Sequence, residues 1–191
     1  VHTEQVIDIS SNLQSDGRLL WQVPPGDWTV MRFGIRNTGA TTRPAPDPGF
    51  GFECDKLDAS AFDAHLEAYV GKLLKRVGPR TPGHGWTMMH IDSWEMGSQN
   101  WTAAFAEEFR KRCGYDPTPY LPAYTGLIVD SPQQSERFLW DVRCVAQALV
   151  LENHAGRLKQ FAHEHGMGLS IEPYDMNPTS DMELGGVADV P

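Results

Sequence analysis

Two stretches of this chain carry acids in a pattern suited to bond cleavage. The apolar run Trp86-Thr87-Met88-Met89-His90-Ile91 leads directly into Asp92-Ser93-Trp94-Glu95-Met96-Gly97. Downstream, Gly168-Leu169-Ser170-Ile171 leads into Glu172-Pro173-Tyr174-Asp175. A buried strand ending in carboxylates and an aromatic ring is the usual layout at the mouth of an α/β barrel. Glycoside hydrolysis needs such a set. One carboxyl group protonates the leaving oxygen and a second acts as base or nucleophile across the sugar ring. Glu95 and Glu172, on different strand ends, are the pair expected to face each other across a pocket, with Asp92 pointing inward on the side of His90. The plainer role for any of these acids is to cap a helix or bond a loop backbone.

The candidate sugar contacts are Asp55, Lys56, His90, Trp94, Asn100, Tyr174 and Asp175. Trp94 and Tyr174 offer flat rings to the apolar face of a pyranose, whereas Trp101 begins a helix and reads as core. Lys56 can ion-pair with a neighbouring acid and keep it ionised, although a surface salt bridge would look the same in sequence. A hard cation such as calcium takes about six to eight oxygen ligands. No loop here has the spacing of a calcium motif, so metal ligands stay unassigned.

The elements that must position these groups alternate. Residues 5–36 read as β-rich, with a turn at Pro24-Pro25-Gly26-Asp27, and residues 37–51 as a Pro/Gly loop. A short strand-like segment, Gly51 to Lys56, precedes a helix capped by Asp58 and running to about Val77. The strand at 86–91 follows, then a helix from Thr102 to Cys113 stopped by Gly114. A long helix opens at Ser131-Pro132-Gln133-Gln134, a capping box with proline at the first position. It extends to about His165, with Gly156 as its weak point. The strand at 168–171 is next, and 187–190 reads as one more. Such alternation predicts parallel strands joined by helical crossovers. The expected fold class is α/β: residues 1–50 form a β-rich, sandwich-like lead-in, and 51–191 form part of a (β/α)8 barrel, since a full one needs roughly 250 residues.

Composition narrows the function classes. With 191 residues, 40% hydrophobic and 10% aromatic, the chain can build a real core. The net charge of −9 and the lack of any basic run argue against nucleic acid or an anionic membrane as partner. No apolar run approaches the roughly 20 residues that span a bilayer. Cys54, Cys113 and Cys144 are widely spaced and odd in number, so neither a zinc site nor a disulfide framework is expected. Both ends look cut. A piece of a larger protein, inactive alone, would associate with the remainder of its own polypeptide or with copies of itself through open sheet edges.

Taken together, the sequence resembles the family-106 glycoside hydrolases, the α-L-rhamnosidases. The resemblance lies in Gly51-Phe52-Glu53-Cys54-Asp55-Lys56-Leu57, His90 to Gly97 with Gln99-Asn100-Trp101-Thr102, Arg112-Cys113-Gly114-Tyr115-Asp116, Phe138-Leu139-Trp140-Asp141 and Ser170-Ile171-Glu172-Pro173-Tyr174. It implies a (β/α)8 barrel in a much longer protein that cleaves terminal α-L-rhamnosides with inversion, assisted by calcium. Its substrate would be a rhamnose-containing oligosaccharide or glycoside. On this mapping Glu95 and Glu172 are the catalytic carboxylates, and a periplasmic or secreted parent is expected. The family has arginine where Cys113 stands, a swap expected to affect packing more than catalysis. The competing readings are a non-catalytic carbohydrate-binding fragment and a barrel glycosidase for another sugar; fold alone does not choose among them.

Overall fold

The computed structural model describes residues 1–42, 45–77, 85–93, 97–175 and 177–191. These divide into two compact units, Val1–Ile35 with Phe105–Val142 and Arg36–Ala104 with Arg143–Pro191. The second unit carries the sheet. Strands β1 (Met88–Ile91) and β2 (Gly168–Ile171) pair in parallel, with Met88 opposite Gly168, His90 opposite Ser170 and Ile91 opposite Ile171. Side chains alternate between the two faces of a strand. Met89, Ile91, Leu169 and Ile171 are accordingly buried, while His90 is exposed and Ser170 half-buried on the other face.

Helices cover the apolar face. Helix α1 (Ala59–Leu66) starts where Asp58 accepts the Ser60 amide at 2.8 Å, as its sequence predicts. It runs through a π-helical stretch, Glu67–Gly71, into α2 (Lys72–Val77), and buries Phe62, Leu66 and Val70. The long helix of the sequence reading is likewise interrupted: α4 (Pro132–Val150) passes through a second π stretch, Leu151–Gly156, into α5 (Arg157–Glu164). Gly156 closes that stretch because a Cβ there would lie 2.9 Å from the Leu151 carbonyl oxygen. Leu158, Ala162 and Leu184 complete the core. Each fully buried large aliphatic side chain in such a core is worth ~1.5–3 kcal/mol.

Helix α6 (Asp181–Val187), capped by the Ser180 hydroxyl accepting the Glu183 amide, replaces the start of the strand expected at 187–190. Only Val190 bridges β2: it pairs in parallel with Ser170, and the Ile171 amide donates to the Val190 carbonyl at 3.1 Å. Asp189 fills the neighbouring position with its side chain. Its Oδ2 accepts the Leu169 amide at 2.8 Å and meets His163 Nε2 at 2.8 Å, and its Oδ1 lies 3.1 Å from Lys159 Nζ. His163 foremost, then the Leu169 amide and Lys159, hold this carboxyl far below the usual range.

Two further expectations take a different form. The segment from Gly51 to Lys56 does not join the parallel sheet. Instead the Glu53 amide donates to Ala40 and Gly51 accepts from Thr42, making an antiparallel bridge between Thr41 and Phe52. Within residues 5–36 there is one bridge, Leu13 with Leu19, and a 3-10 turn at Ser10–Asn12; the turn at 24–27 is closed by Trp28 Nε1 donating to the Pro24 carbonyl, with Trp21 edge-on to Trp28.

The first unit is built on α3 (Phe105–Cys113) and the first part of α4, with a 3-10 segment, Thr118–Thr125, between them. Phe109, Tyr115, Tyr120 and Phe138 stack in one aromatic cluster, and the Tyr115 hydroxyl donates to Asp141 at 3.0 Å. Gly114 takes the left-handed conformation that ends α3, as expected of it. Among the described residues, no helix is long and apolar enough to cross a membrane.

Candidate carboxyl site at the strand ends

Because β1 and β2 are parallel and in register, the residues that follow them emerge side by side. The Glu172 amide donates to the Ile91 carbonyl at 2.9 Å, which extends the ladder one step beyond Ile171. Asp92 and Glu172 therefore stand on adjacent strand ends, with Glu172 the neighbour that most affects the Asp92 carboxyl. The Ser93 amide serves both, at 3.1 Å from Asp92 Oδ1 and 3.4 Å from Glu172 Oε2. Glu172 first, then the Ser93 amide and the nearby His90, hold the Asp92 carboxyl below its ordinary range. The Asp92 side chain is open to solvent.

One step back along the ladder, His90 Nδ1 is 2.8 Å from Ser170 Oγ, and His90 Nε2 is 3.9 Å from Asp92 Oδ1. The open face thus presents two rungs, His90 with Ser170 and Asp92 with Glu172. Tyr174 and Asp175 follow, both exposed, and Asp175 holds a left-handed backbone at φ 53° while its Oδ1 accepts from Asn177. A non-glycine residue in that region marks a constrained loop. Such an arrangement can deliver a proton to a leaving oxygen and hold a compensating negative charge beside it.

The other sequence-derived candidates are placed as follows. Trp94 and Glu95 lie outside the described residues. Asn100 is exposed. Lys56 is buried at 6% exposure, its Nζ 2.6 Å from Glu53 Oε2, and Asp55 accepts the Leu57 amide at 2.9 Å. Gln99 ties this segment to the chain that follows Asp92: its Oε1 accepts the Lys56 amide at 2.7 Å and its Nε2 donates to the Cys54 carbonyl at 2.8 Å.

Ser93, Ser170 and Gln99 were not singled out from sequence. For Ser170 a signal existed, since His90-Ile91-Asp92 and Ser170-Ile171-Glu172 are two tripeptides of like pattern, each polar–Ile–acid. His154 is a buried packing residue in an unusual state. Among the described residues its Nδ1 has no hydrogen-bond partner, it lies edge-on to Phe62, and burial pushes its pKa down to about 3, with Lys56 and His65 adding to the effect.

Comparison with known proteins bears on this geometry. The sequence profile of glycoside hydrolase family 106, described as alpha-L-rhamnosidase, matches residues 1–191. The structure of a rhamnosidase from Novosphingobium sp. PP1Y is similar with a TM-score of 0.82 and 31% identity, over 100% of this chain and 19% of that one. A protein of Formosa agariphila described as "Putative beta-glucuronidase" is 35% identical over 192 residues, which cover 100% of this chain and 16% of its own length. The chain therefore spans less than a fifth of either relative. It belongs to glycoside hydrolase family 106, the alpha-L-rhamnosidases.

Proposed function

We propose that this chain supplies strand ends of the catalytic barrel of a protein that hydrolyses terminal α-L-rhamnosides. The observation that carries the reading is the Asp92–Glu172 pair at the ends of adjacent parallel strands, with the Ser93 amide between the two carboxyls. The chain order of the sheet supports a barrel: β2 takes β1 on one side and Val190 on the other, each joining in parallel.

Two carboxyls within reach of one backbone amide are too close to straddle a sugar ring. Inversion leaves about 6.5–9.5 Å between acid and base, room for the attacking water. Asp92 and Glu172 therefore act as a single arm. Glu172 carries the proton given to the leaving oxygen, and ionised Asp92 keeps that proton in place until the bond breaks. Glu95, three residues beyond Asp92, is the base that activates water from the other side. Trp94 and Tyr174 offer apolar faces to the sugar, and His90, Asn100 and Asp175 its hydroxyl partners. Buried Lys56 and Asp55 hold their segment in shape for the substrate.

A calcium ion would need more oxygen ligands than this pair supplies. Among the described residues no three acidic, histidine or cysteine side chains cluster to hold a metal. Calcium stays a proposal for the whole protein on resemblance alone, tested by whether EGTA dialysis lowers turnover and added calcium restores it.

The Formosa relative's description raises a uronide as the second reading. Neither 92–100 nor 172–180 contains lysine or arginine, while both contain acids, so a uronate carboxylate would meet like charge there. That favours a neutral sugar. The test is a panel of 4-nitrophenyl α-L-rhamnoside and β-D-glucuronide with the full-length protein. Turnover of the rhamnoside with inverted configuration is expected, and Glu172→Gln should lower kcat by ~10²–10⁴-fold. Unchanged kcat in Glu172→Gln, or turnover of the glucuronide alone, would overturn the reading.

A further inference from the structure

We propose that Ser170 is a positioning residue for this site: its hydroxyl fixes the tautomer and ring orientation of His90, so that an Nε2–H is aimed at Asp92. The inference rests on the reading of Asp92 and Glu172 given above and adds a residue to it.

The argument starts from one proton. A serine hydroxyl has a single hydrogen to give. Ser170 Oγ lies 2.8 Å from His90 Nδ1 and 3.4 Å from the Met89 carbonyl oxygen. The first contact is much the shorter, and the second is at the long limit of a hydrogen bond. On this proposal the hydroxyl gives its hydrogen to Nδ1, and a neutral imidazole that accepts at Nδ1 carries its own hydrogen on Nε2. That N–H faces Asp92 Oδ1 across 3.9 Å, a gap that a small rotation of either side chain closes. The opposite tautomer would turn a lone pair toward an ionised carboxylate.

The pair has little structural work of its own. Backbone hydrogen bonds already register β1 on β2, and the buried residues Met89, Ile91, Leu169 and Ile171 secure the apolar face. His90 and Ser170 lie on the face that carries the acids. Among the described residues, the charged groups facing His90 are Asp92 at the end of its own strand and Glu172 at the end of the neighbouring one. Without Ser170 the ring is free to flip or to change tautomer, and Asp92 loses an oriented donor. The loss should fall on the transition state, where the acid arm changes charge, rather than on sugar affinity.

The experiment uses the full-length protein on an aryl α-L-rhamnoside, with melting temperature as a folding control. Ser170→Ala should lower kcat roughly 10–100-fold with KM nearly unchanged. Ser170→Thr, which keeps the hydroxyl, should recover most of the rate. In a His90→Ala background, Ser170→Ala should have no further effect, because serine acts through the histidine. Wild-type kcat in Ser170→Ala, no recovery with threonine in a variant of unchanged melting temperature, or additive losses would each overturn the proposal. Asp92→Asn is run beside them. If it too keeps full rate, the carboxyl reading itself is wrong; if it is slow while Ser170→Ala is fast, only the role of Ser170 is lost.

Discussion

The Ser93 amide lies 3.4 Å from Glu172 Oε2, although 79 positions separate them in the chain. The same N–H is 3.1 Å from Asp92 Oδ1. One backbone donor thus sits between two carboxyls and ties the two strand ends together.

Kinetic coupling follows from that shared donor. Asp92→Asn and Glu172→Gln should each slow turnover by ~10²–10⁴-fold. The double variant should be little slower than the slower single, because either change dismantles the same unit. A double-mutant cycle on kcat checks this. Multiplicative losses would mean that the two acids act separately.

His154 should give the fold a pH dependence. Its pKa in the folded protein is down to about 3 against 6.5 for an ordinary histidine. Between those values the unfolded chain binds a proton that the folded one rejects, so stability rises with pH across that window. The slope from one group is at most ~1.4 kcal/mol per pH unit. Urea unfolding at several pH values should show it, and His154→Leu should flatten it. An unchanged slope in that variant would assign the effect elsewhere.

Alanine at Gly156 should reverse its usual effect. In an ordinary helix Gly→Ala is stabilising by ~1 kcal/mol. Here the new Cβ meets the Leu151 carbonyl oxygen at 2.9 Å, and a backbone atom inside the helix cannot step aside. Gly156→Ala should cost ~1–3 kcal/mol, as overpacking does. At Gly168 the added Cβ meets Met88 Sδ at 2.7 Å, the movable end of a flexible side chain. Gly168→Ala should therefore cost less, and Met88→Ala should rescue it. Thermal or urea melts rank the two.

Asp189→Asn should lower the melting temperature without touching the carboxyl pair. An asparagine oxygen can still accept the Leu169 amide, but the ion pairs with His163 and Lys159 are gone. Because the folded-state carboxyl is held below the ordinary aspartate value of 3.8, its contribution is present above that pH and fades as pH falls through it. The difference between wild type and variant should also shrink in high salt. A difference independent of both pH and salt would argue against the ion pairs.

Strand β2 was fully legible in sequence, because an alternating apolar run bounded by Gly168 and Glu172 has few other readings. The helices opened by Asp58 and Ser131 were legible from their caps. The π stretches were not, since a helical pattern barely changes when one residue is inserted into a turn. Helix α6 was missed although Ser180 and Glu183 stand at capping-box spacing, because two glycines near its end disguised it. For the site, each acid could be picked out at a strand end, but which acids meet depends on how two distant strands align. No local pattern carries that.

The alignment itself has a consequence. Sliding β2 by one position along β1 would drag Glu172 toward the oily side and expel Ile171 into water, because side chains change faces at every step. The side-by-side placement of Asp92 and Glu172 is thus enforced by aliphatic residues on the opposite face of the sheet. Substitutions beneath the sheet should consequently misalign the acids before they melt the fold.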